Sequence, residues 1–130
     1  MKYIINYYLL NIINILIPHP KLRALYFKLL GAEIGKNVRI EKVNFIQVQH
    51  TIKNLRCNDY TFIGSGVTLD LSAPIILDKY AAIAPGCTIL THQDLGEFNG
   101  NILSTVYKKK ISEVYLERNV VVGVDSTILA

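Results

Sequence analysis

The stretch Cys57–Asp94 decides the fold. Broken every six residues, positions 57–74 read CNDYTF, IGSGVT, LDLSAP, and positions 77–94 read LDKYAA, IAPGCT, ILTHQD. An apolar residue leads most lines: Cys57, Ile63, Leu69, Leu77, Ile83 and Ile89. Four places on stands a small or β-branched residue, as at Thr61, Val67, Ala81 and Cys87. The phase continues outward, to IGKNVR and IEKVNF from Ile34 and to LERNVV, VGVDST and ILA from Leu116. An α-helix turns about 600° in six residues, so its face would slip by about 120° at each repeat. Plain strand alternation leaves unexplained why the second place is so often Gly, Ala, Asp or Glu. A short strand followed by a corner, repeated, explains both features: the leading residue and the small one point inward, and the second place turns. That is a hexapeptide solenoid.

At this point a family resemblance becomes specific. The segments LLGAEIGKNVRI, FIGSGVTLD, IAPGCTILTHQD and NVVVGVDSTIL resemble the hexapeptide-repeat acyltransferases, which include maltose and galactoside O-acetyltransferases and enzymes of polysaccharide biosynthesis. The likeness covers roughly residues 17–130. It implies an all-β fold, a left-handed parallel β-helix with three sixes to a coil, preceded by an α-helical arm. The expected division is an arm over 1–31 and a β-helix domain over 32–130. Asn58 and Glu117 depart from the family's common glycine at the second place, and Val121 stands where an aromatic is frequent.

The arm MKYIINYYLLNIINILIPHP is apolar from Tyr3 to Ile17. It is shorter than the roughly 20 residues of a spanning helix, and no small-residue cleavage site follows. Asn6, Asn11 and Asn14 form a narrow polar stripe on a helical wheel. Two readings stand: a helix packed on its own domain or a neighbouring subunit, or an interfacial helix making a peripheral membrane contact. In HPKLRALYFKLLG, Pro20 opens and Gly31 closes a second helix. Its apolar stripe is Leu22, Leu25, Tyr26, Leu29 and Leu30, with Arg23 and Lys28 off it.

The 130 residues make at most one core, and a hydrophobic content of 51% against 18% charged excludes a disordered chain. Net charge is +4. Lys2, Lys21, Arg23 and Lys28 all precede the first acid, Glu33, after which ten basic residues balance ten acidic ones. The basic bias thus belongs to the arm and favours an anionic surface nearby. Aromatic and basic residues do not interleave as a nucleic-acid binder requires. Cys57 and Cys87 occupy apolar-phase positions and read as reduced core residues of a cytoplasmic protein.

The phase breaks over Asn44–Asn54, where an irregular early coil is expected, and again over Thr91–Glu113, THQDLGEFNGNILSTVYKKKISE. Long excursions from a regular scaffold usually carry function. His92 sits at the base of this one. By its residue type and place it is either a loop-edge histidine or a base; an imidazole titrating near 6.5 suits proton transfer at cellular pH. The resemblance implies the second, because family members carry their general base just after an IAPxVxIxT-like strand. It implies acetyl transfer from acetyl-CoA to a hydroxyl of a sugar or polysaccharide precursor, with no covalent enzyme intermediate. Asp94 could orient the imidazole or be an ordinary loop carboxylate. Asp70 and Ser72, and Asp94 with them, lie near positions where the family holds its acceptor. Lys109 and Lys110 belong to a run with Lys108 that is either solvated or in contact with coenzyme A phosphates. The spacing of His19, His50 and His92 does not match the three zinc ligands of a γ-class carbonic anhydrase, and no metal is expected.

The resemblance further implies a homotrimer with sites between neighbouring solenoids. Family members also continue through further coils, so the chain reads as truncated at its C-terminus. A non-catalytic β-helix that lacks a complete coenzyme site is the alternative function.

Overall fold

The computed structural model describes residues 1–48 and 50–130. Twelve short strands fall into three four-stranded parallel sheets, which the chain visits in turn. The first sheet takes β1 (Glu33–Ile34), β4 (Leu55–Cys57), β7 (Ile75–Leu77) and β12 (Val114–Leu116). The second takes β2 (Arg39–Ile40), β5 (Phe62–Ile63), β8 (Ala82–Ile83) and β13 (Val121–Val122). The third takes β3 (Asn44–Ile46), β6 (Thr68–Asp70), β9 (Thr88–Leu90) and β14 (Thr127–Leu129). Strands are thus stacked in register and four coils lie one on the next, an order compatible with a β-helix-like solenoid.

The stacking makes each leading residue of a six meet its counterpart in the next coil. Ile34, Cys57, Leu77 and Leu116 are register partners in the first sheet. Ile40, Ile63, Ile83 and Val122 are partners in the second, and Phe45, Leu69, Ile89 and Ile128 in the third. All but the half-buried Ile128 are buried. Val38, Thr61, Val67, Ala81 and Cys87 are buried too, whereas their counterparts Val120 and Ser126 in the last coil are not. Corners repeat as faithfully as strands. Asn37, Tyr60, Tyr80 and Asn119 all take the left-handed conformation at one corner, and the Tyr60 and Tyr80 rings stack with centroids 5.3 Å apart. A Cβ at Gly64 would stand 2.6 Å from the Pro85 backbone nitrogen, so the coils approach there more closely than a side chain permits.

The helices cover the first coil, and here one sequence expectation is corrected. The arm is helical as α1 (Lys2–Tyr7), a π-helical turn (Tyr8–Ile12) and α2 (Ile13–Leu16). Its asparagine stripe faces the protein. Asn6 Nδ2 donates to the Val48 carbonyl at 3.2 Å, Asn14 Nδ2 donates to that of Val43, and Asn11 Oδ1 accepts from the Phe45 amide at 3.3 Å. These amides satisfy the backbone of and around β3, an edge strand with no coil beyond it. In α3 (Pro20–Leu29) the buried face is Arg23, Ala24 and Phe27; Leu22, Leu25 and Leu29 are exposed, against the expected stripe. Arg23, 1% exposed, donates to the carbonyls of Ile40 and Ile17 at 2.6 Å each and of Asn14 at 3.1 Å. Phe27 packs edge-on against Phe45. An open strand edge demands donors before it demands carbon, and this demand chose the buried faces of both helices.

The irregular early coil is present as expected. Phe45 follows Ile40 by five residues, and a 3-10 turn at Ile52–Asn54 leads into β4. Gln49, within that stretch, lies outside the described residues. The excursion leaves the stack after β9 as β10 (His92–Gln93), carries a short helix α4 (Leu103–Val106), and returns through β11 (Lys110–Ile111), antiparallel to β10. No helix among the described residues is long and apolar enough to cross a membrane.

Candidate functional site

The site begins with a slip in the repeat. Leu69 and Leu77 lead successive sixes but stand eight apart, so the connection from β6 to β7 is two residues longer than the repeat requires. Asp70, the last residue of β6, is thereby turned under the point where β9 releases the excursion. Its carboxylate is wholly buried and collects donors from both segments. Oδ1 accepts from the Ser72 amide at 3.0 Å and the Ser72 hydroxyl at 2.7 Å. Oδ2 accepts from the amides of Thr91 at 2.8 Å and His92 at 2.9 Å. Thr91, also buried, ties the same corner by donating its hydroxyl to the Asp70 carbonyl and accepting from the Ala73 amide.

His92 completes the cluster. Its Nδ1 lies 2.5 Å from Asp70 Oδ2 and 3.3 Å from Ser72 Oγ. Burial works to raise the Asp70 pKa, but the hydrogen bonds from His92, from the Ser72 side chain and amide and from Thr91 together hold it below its ordinary value. The carboxylate is therefore ionised and can only accept. The hydrogen-bond network assigns the ring proton to Nδ1 and leaves the lone pair on Nε2. That nitrogen lies 3.4 Å from Gln47 Nε2, a donor from the end of β3, and the ring is 19% exposed. An imidazole held in one tautomer and one orientation, with a partly exposed ring, is the result.

The expected site residues divide on this geometry. Asp70, expected near the acceptor, is placed as the partner of His92, a carboxylate with no exposed surface and five donors. Ser72 belongs to the same cluster, with its proton committed to Asp70. Asp94 does not orient the imidazole: its Oδ1 accepts from the amides of Gly96 and Glu97 and closes an exposed loop turn. Lys109 and Lys110 are exposed on the returning limb of the excursion, Lys110 opposite Gln93. Gln47 and the anchoring role of Asp70 escaped the sequence reading. The only signal for Asp70 was an acidic second place immediately before a two-residue slip.

His19 and His50 are exposed, and His19 Nδ1 accepts from the Lys21 amide as the cap of α3. No group of three His, Cys, Asp or Glu placed to hold a metal occurs among the described residues. Both cysteines are buried thiols, and burial pushes Cys57 up to about 12, which leaves it without nucleophilic thiolate at neutral pH. Clefts lie between the arm, α3 and the first coils. His92 instead sits where the excursion leaves the stack, and its chemistry rests on the hydrogen-bonded cluster, not on enclosure by one chain. Comparison with protein families, with curated proteins and with solved structures finds no match to the chain.

Proposed function

We propose that the chain is a left-handed parallel β-helix acyltransferase that moves an acetyl group from acetyl-CoA to a hydroxyl of a sugar or polysaccharide precursor. The observation that carries this reading is the Asp70–His92 pair, 2.5 Å apart, at the base of a long excursion from a stack of parallel strands. The hexapeptide phase and the IAPGCTILTH segment support it from the sequence side.

In this reading His92 Nε2 takes the proton of the acceptor hydroxyl as its oxygen attacks the thioester carbonyl. The tetrahedral adduct collapses, the carbon–sulfur bond breaks, and the imidazolium returns the proton to the departing thiolate. Asp70 faces the positive charge that Nδ1–H carries between those two transfers, and it holds the ring so that Nε2 alone is basic. Lys109 and Lys110 stand on the excursion as cations for coenzyme phosphates.

Release of free thiol from acetyl-CoA, followed over a panel of sugar acceptors, tests the reading. His92→Ala should slow transfer by about 10²–10⁴ while coenzyme binding persists. Equal rates in the two proteins would reject His92 as the base. Failure of the wild-type chain to bind acetyl-CoA at all would favour a non-catalytic solenoid.

A further inference from the structure

The arm and α3 are inside out. Their polar side chains, Asn6, Asn11, Asn14 and Arg23, are turned inward onto the backbone of the first coil. Their apolar side chains are turned outward: Tyr8, Ile15, Leu16, Leu22, Leu25 and Leu29 are each more than half exposed. Arg23 and the Tyr26 hydroxyl bind arm carbonyls, so the two helices cover the same end of the stack as one unit. The face is also cationic. Residues 1–32 carry four basic side chains and no acid, and Lys2, Lys21 and Lys28 are exposed. The bias continues beneath, because residues 1–58 hold nine basic and two acidic residues.

We propose that this end of the molecule lies on an anionic lipid bilayer, with the outer faces of the arm and α3 in the interface and the lysines among the headgroups. An apolar face flanked by lysines and bearing tyrosines matches the chemistry of that boundary. The helices lie on the bilayer and do not span it, since the arm's helical run from Lys2 to Leu16 falls short of the roughly 20 residues needed. A second copy of the chain is the poorer occupant. Two such faces together would set lysine against lysine with no carboxylate in residues 1–32 to answer them.

The test is sedimentation of the 130-residue chain with vesicles of phosphatidylcholine containing a quarter phosphatidylglycerol, beside vesicles of phosphatidylcholine alone. The chain should pellet with the anionic vesicles, and less so in high salt. Leu16→Asp with Leu25→Asp should abolish binding, and each of Lys2→Gln, Lys21→Gln and Lys28→Gln should weaken it by about fivefold. Tyr8→Trp supplies a readout that needs no loss of function: its emission should move to shorter wavelength on adding anionic vesicles. Absent or composition-independent binding overturns the proposal. So does a double aspartate variant that lowers the molecular mass in light scattering yet pellets as the wild type does, because the face would then be an interface between copies.

Discussion

At the scale of single residues, Asp70 is the position on which the site depends. Its five donors come from Ser72, Thr91 and His92, so it both anchors the departing excursion and orients the imidazole. Because its folded pKa is lowered, its contribution to stability is full above the unfolded value near 3.9 and is lost as pH falls through and below that value. Asp70→Asn should lower the unfolding midpoint in urea at pH 7. The difference from wild type should shrink as pH falls from about 5 through and below the unfolded value near 3.9. A difference constant across that range would show that Asp70 acts only through its shape. In the proposed acetyl transfer the same variant should lower kcat more than it raises KM, since Asp70 has no exposed surface for a substrate.

At the scale of elements, the covering helices are chosen by hydrogen bonds more than by hydrophobic area. The first coil ends in carbonyls and amides with no coil beyond them, and Arg23 with three asparagines reaches that edge from outside. Arg23→Ala would strip three buried or half-buried carbonyls of their donor, and should destabilise the chain by at least about 2 kcal/mol in equilibrium urea unfolding. Leu25→Ala, one residue past Ala24 but on the outer face, should change stability by no more than about 0.5 kcal/mol. Reversal of that order would mean that α3 packs through its leucines, as its sequence pattern alone suggests.

Across the whole molecule, the two ends and the flank of the stack face different surroundings. One end is cationic and apolar; the flank carries the excursion, whose Phe98, Ile102 and Val106 are largely exposed. Exposed apolar side chains on an excursion that starts at His92 suit a neighbouring copy, and we expect a homotrimer in which each excursion meets the next solenoid. Static light scattering on the wild-type chain should return three times the monomer mass. Phe98→Asp should reduce that mass and leave vesicle binding unchanged. A monomer at micromolar concentration would overturn the assembly without touching the Asp70–His92 pair.

The repeat of six was legible in the sequence because it is a local matter. Each strand is two or three residues long, each corner is set by a few backbone angles, and stacking identical units multiplies a weak preference into a strong pattern. The leading residues from Ile34 to Val122 are therefore marked as core by the sequence, and the excursion is marked as a stretch where the pattern stops. The inward faces of the helices and the partner of His92 were not legible. A helical wheel weighs carbon against water, whereas the first coil offers bare carbonyls, so which face is buried depends on a strand edge that only the folded chain creates. Asp70 and His92 are 22 positions apart, and nothing between them signals a meeting. The slip after Leu69 and the exit at Thr91 had to be stacked on one another before a carboxylate and an imidazole could share a proton.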